Sequence, residues 1–88
     1  YDITLHCESM KFELRNIDPD RYSYIDLLSD VCENVLNRIS SRQNIMIALC
    51  CDIPGTMETM NIEIDSDVLE MFGLHRRNGR INVYVAGL

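Results

Sequence analysis

The sequence predicts an α+β domain in which one main helix lies across a mixed sheet of about five strands. Three observations carry that expectation. Four segments (1–7, 10–17, 57–64 and 80–86) alternate apolar and polar residues at the two-residue period of a half-buried strand. One segment, 45–51 (Ile-Met-Ile-Ala-Leu-Cys-Cys), is apolar at nearly every position, as a central strand is. Between the second and third of these five segments, apolar residues recur at helical spacing.

Each element has its local reasons. In residues 1–7, Tyr1, Ile3, Leu5 and Cys7 share one face, with Asp2, Thr4 and His6 on the other. Glu8-Ser9 makes a short polar turn into a second strand, where Met10, Phe12 and Leu14 point inward and Lys11, Glu13 and Arg15 outward. The pair reads as an antiparallel hairpin. Asp18-Pro19-Asp20 interrupts the pattern. Ser23 then offers an N-cap, with Asp26 three residues on as an acidic capping box. Tyr24, Leu27, Leu28, Val31, Cys32, Val35 and Ile39 form the apolar stripe of a helix expected from Ser23 to Arg38. A polar loop (40–44) leads to the apolar third strand. Asp52-Ile53-Pro54-Gly55 is a turn, and a weaker strand follows with Met60, Ile62 and Ile64 on one side. Asp65 or Ser66 is expected to cap a short helix, and the last strand places Ile81, Val83 and Val85 inward, Asn82 and Tyr84 outward.

The resulting order is ββαββαβ. A right-handed crossover between the second and third strands brings the first and last strands side by side at the sheet's centre. That is the ubiquitin-like β-grasp arrangement.

Composition narrows the classes of function. The chain has 88 residues, enough for one domain, residues 1–88, with its own core. Its 47% apolar content is too high for a disordered segment. A first residue of Tyr1 rather than Met suggests a piece of a longer protein. The net charge of −6, with one lysine, argues against a phosphate-binding surface, and no apolar run has the length of a membrane span. Cys7, Cys32, Cys50 and Cys51 match no zinc spacing and read as free thiols of a reducing, intracellular compartment. His6 and His75 have no neighbours in sequence suited to nucleophilic catalysis, and the scattered glycines build no phosphate loop. No catalytic residue, metal site or cofactor is expected.

With that order in hand, particular residues resemble a family. Asp18-Pro19-Asp20-Arg21-Tyr22-Ser23-Tyr24 before the helix, Pro54-Gly55, Asp65-Ser66-Asp67-Val68-Leu69-Glu70-Met71, and Ile81-Asn82-Val83-Tyr84-Val85 at the end are similar to the plant Phox-and-Bem-one-like domain. That domain stands at the N-termini of Mutator-like transposases and of genes domesticated from them. The resemblance covers nearly the whole chain. It implies a non-catalytic, nuclear protein-interaction module that pairs front to back, with acidic residues on one side and basic residues on the other. The chain departs from the superfamily's pattern at two points. The Asp-Gly-Asp of the acidic motif is replaced by Asp52-Ile53-Pro54-Gly55, and the first strand has no lysine.

Three candidate surfaces follow. The acidic one comprises Asp52, Glu63, Asp65, Asp67 and Glu70, suited to attract Arg or Lys of a partner. The basic one comprises Lys11, Arg15, Arg76, Arg77 and Arg80. The third is apolar: Met46, Ala48 and Cys50, with Tyr84, on the face of the sheet that the helix leaves open. The leading expectation is a protein partner, a second copy included. The alternative is an accessory nucleic-acid-binding domain of a transposase-like protein, which only Arg76, Arg77 and Arg80 favour.

Overall fold

The computed structural model describes residues 1–36 and 47–87. Its sheet has five strands in the order β2-β1-β5-β3-β4. Strands β1 (Asp2–Cys7) and β5 (Arg80–Gly87) lie parallel at the centre, Ile3 beside Ile81 and Leu5 beside Val83. Strand β2 (Met10–Leu14) pairs antiparallel with β1, and β3 (Ile47–Asp52) pairs antiparallel with both β5 and β4 (Thr59–Ile62). Helices α1 (Tyr24–Val31) and α2 (Asp65–Leu74) complete a β-grasp arrangement.

Alternation sorts the strand residues. Ile3, Leu5, Cys7, Leu49, Cys51, Ile62, Ile81 and Val83 are buried on one face of the sheet, where they meet Leu27 and Val31 of α1 and Val68, Met71 and Phe72 of α2. The inward residues expected on β1 and β5 are in this core or packed against it.

Helix α1 begins as its sequence indicates. The Ser23 hydroxyl accepts the Asp26 N–H at 3.2 Å, and the Asp26 carboxylate accepts the Ser23 N–H at 2.9 Å. The α-helical geometry stops sooner than periodicity suggests. It gives way at Cys32 to a π-helical turn, Cys32–Leu36. The Asn34 side chain donates to the Asp30 carbonyl at 2.8 Å, competing with the α-helical bond that Asn34's own N–H would make. The last two residues of the expected helix, 37 and 38, lie outside the described residues.

Two strands are shorter than expected. Strand β2 ends at Leu14, because Asn16 turns to φ +57°, a conformation asparagine tolerates, and gives its N–H to the Asp2 carboxylate at 3.1 Å. Strand β4 ends at Ile62, because the next two N–H groups are taken by Asp67. Ile64 therefore does not continue the inward row. It is 58% exposed and serves as the N-cap residue of α2. Capping by Asp65 or Ser66 gives way to a different device. An isoleucine has no side-chain acceptor, so Asp67 reaches back to the Glu63 N–H at 2.9 Å and the Ile64 N–H at 3.2 Å.

Candidate functional site

Both helices pack on one face of the sheet. The outward residues of β1, β5 and β3 (Thr4, His6, Asn82, Tyr84, Ala48, Cys50 and Asp52) floor the other. Parallel pairing sets His6 beside Tyr84, and antiparallel pairing sets Tyr84 beside Cys50. The His6 and Tyr84 rings stack at 4.9 Å between centroids. The Tyr84 hydroxyl donates to the Asp52 carboxylate at 2.9 Å, the Asn82 amide reaches the same oxygen at 3.4 Å, and His6 Nε2 donates to the Asn82 side-chain oxygen at 2.9 Å. Donation to Asp52, with a smaller share from burial, raises the Tyr84 phenol above its ordinary pKa of 10.0. The four side chains hold one another in place across three strands.

The apolar surface expected from sequence is therefore mixed in character. Ala48 is exposed, Cys50 and Tyr84 are half-buried, and polar groups stand among them. Met46 lies outside the described residues.

The five acids do not form one surface. Asp52 closes β3 on the open face, whereas Glu63 follows β4 at the far end of the same hairpin. Paired residues Asp52–Thr59 and Leu49–Ile62 mark the two ends, about 10 Å apart along the strands. Asp67 anchors the start of α2. Asp65 accepts the Tyr24 N–H at 2.8 Å, so it stabilises the first turn of α1 from 41 positions away in the sequence. Glu63 and Glu70 are exposed.

The basic residues are also dispersed. Lys11 faces outward on the edge strand β2, in register with His6. Arg15 donates to the Glu13 carboxylate through Nε at 3.1 Å and Nη2 at 2.8 Å. Arg80 stands opposite Asp2 in the β1–β5 register, and Asp2, Thr4, Glu13, Arg15 and Arg80 line a shallow cleft of about 280 Å³. Its charges are of both signs, which suits a protein contact better than a phosphate. Arg76 and Arg77 are exposed in the turn after α2.

Sequence reasoning missed the partnership of His6, Asn82 and Asp52. Alternation placed the first two outward, but their meeting depends on the parallel register of two strands 76 residues apart. His75 is buried, and its Nδ1 donates to the Met71 carbonyl at 2.8 Å, closing the end of α2. All four cysteines are free thiols. Among the described residues no group of three or more His, Cys, Asp or Glu side chains is arranged to hold a metal ion, and no helix is long and apolar enough to cross a membrane. No protein-family model matches the sequence, and a search of curated proteins finds no match.

Proposed function

We propose that this domain is a non-catalytic protein–protein interaction module that associates with a second copy of itself through the open face and edges of its sheet. The observation that carries this reading is the His6–Asn82–Asp52–Tyr84 array. It is a preorganised, partly aromatic surface on the helix-free face, and rigid, pre-positioned side chains lose little entropy on docking. The sheet's edges support it. Lys11 stands on β2 beside the Glu13–Arg15 ion pair, and Glu58 and Glu63 flank β4, so Lys11 can face the acids of the other copy's β4 edge.

The resemblance to the Phox-and-Bem-one-like domain extends the proposal. On that reading the parent protein is a Mutator-like transposase or a plant protein derived from one, works in the nucleus, and uses this segment for assembly rather than for DNA contact. The net charge of −6 supports the last point.

Light-scattering mass measured across protein concentration, at low and high salt, tests the proposal. A mass above 10.2 kDa that falls with added salt supports pairing of the charged edges. A raised mass indifferent to salt assigns the contact to the Tyr84 face. A monomer under all conditions overturns self-association.

A further inference from the structure

Strand β2 ends the sheet on one side, with β1 as its neighbour. Its backbone groups divide by position. The Asp2 N–H goes to the Gly79 carbonyl at 2.7 Å, just before β5, whereas Tyr1 exchanges bonds with Ile17, beyond β2. Backbone groups alternate in direction along a strand, so Ile3, Leu5 and Cys7 turn theirs to β2, where Leu14, Phe12 and Met10 receive them. Lys11 and Glu13, opposite His6 and Thr4, therefore turn both N–H and C=O over the edge of the sheet.

That edge is complementary to itself. In an antiparallel pair of β2 strands centred on Phe12, Lys11 of each copy faces Glu13 of the other. These are the residues whose backbone groups point over the edge, so they form hydrogen-bonded pairs on either side of a Phe12–Phe12 pair. Met10 faces Leu14. Each pair keeps to one face of the sheet: exposed Lys11 and Glu13 on the helix-free face, half-buried Met10, Phe12 and Leu14 on the other, where Phe12 and Leu14 pack against the core. Other registers fail. A shift of one residue sets Phe12 against Glu13 and Lys11 against Leu14. Centring on Lys11 or on Glu13 opposes like charges. Centring on Met10 or Leu14 runs off an end of β2, into the Glu8-Ser9 turn or toward Asn16 at φ +57°.

We propose that two copies of the domain join their β2 edges antiparallel about Phe12, making one continuous sheet across a two-fold interface. The proposal rests on the self-association argued above and narrows it to one contact. Pairing of β2 with β2 closes at a dimer, whereas β2 on β4 leaves an edge free at each end and grows.

Light-scattering mass across protein concentration, with charge exchange between two variants, tests it. The mass of the parent chain should rise to twice 10.2 kDa and no further. Lys11→Glu and Glu13→Lys each set like charges against each other at both pairs, and each alone should weaken dimerisation by about tenfold or more. An equimolar mixture of the two variants restores opposite charges at every pair and should dimerise as the parent does. So should the double variant Lys11→Glu with Glu13→Lys. Both positions are exposed, the Glu13–Arg15 ion pair lost in Glu13→Lys is a surface one, and a far-ultraviolet circular dichroism spectrum verifies that each variant is folded. A β2–β4 contact predicts instead that Glu13→Lys strengthens association and that mixing restores nothing. That result, growth beyond a dimer, or association indifferent to both variants overturns β2 pairing and leaves self-association standing. A parent chain that stays monomeric overturns both.

Discussion

Replacing Asp67 by alanine should destabilise the domain by about 2 kcal/mol, although the residue stands in a cluster of acids that reads from sequence as a docking surface. One carboxylate oxygen accepts the N–H groups of both Glu63 and Ile64. The N-cap residue Ile64 offers no side-chain acceptor, so among the described residues Asp67 supplies the side-chain support at this helix start. Loss of a helix cap costs about 0.5–2 kcal/mol, and loss of a negative charge from the first turn a further 0.3–1 kcal/mol or so. Both N–H groups lie in an exposed segment, so water recovers part of the loss, and about 2 kcal/mol remains. For a domain of this size that is a fall in Tm of about 10 °C. Thermal melts followed by circular dichroism measure it. Asp67→Asn, which retains an oxygen acceptor and loses the charge, should fall about midway. Glu70→Ala, on the exposed side of the same helix, should stay within about 0.5 kcal/mol of the parent. Equal Tm values for Asp67→Ala and Glu70→Ala would refute the assignment of a structural role to Asp67.

Other outcomes follow from the same structure. Leu27→Ala, at the fully buried centre of α1, should cost about 2–5 kcal/mol in urea unfolding. Gly79 sits at φ +65° in the turn before β5, so Gly79→Ala should cost about 1 kcal/mol through backbone strain, since a methyl group there meets no neighbour. Burial pushes the Cys51 thiol from 9.0 up to about 12, and burial with donation to Asp30 raises the Tyr22 phenol. An unfolded chain releases those protons nearer their ordinary values. Their contribution is therefore intact below about pH 9 and declines as pH rises from there toward about 12, and Cys51→Val should flatten the decline in Tm over that range. In native protein at pH 8, a disulfide reagent should label exposed Cys32 quickly, and buried Cys7 and Cys51 only on unfolding.

Much of the fold was legible because its signals are local. Strand alternation, the Ser23–Asp26 capping box and the outward placement of Asn82 and Tyr84 each depend on residues within a few positions of one another, and the structure retains them. The limits of the elements were less so. Strand β4 and helix α2 meet where Asp67 folds back onto the chain, and α1 leaves α-helical geometry where the Asn34 side chain takes a backbone carbonyl. Both events turn on a side chain choosing a backbone partner, which hydrophobic periodicity does not encode.

The candidate surfaces divide along the same line. The sequence by itself determined the β-grasp order, the inward faces of the strands and the negative charge, because alternation, helical spacing and composition are properties of the chain. Only the tertiary structure decided which acids serve the fold and which face solvent. Asp65 is bound to α1 across 41 positions, Asp67 to its own helix start, and Asp52 to Tyr84 across 32 positions. Neighbourhood in space depends on strand register and helix docking, and these are settled by burial of the whole core rather than by any one segment.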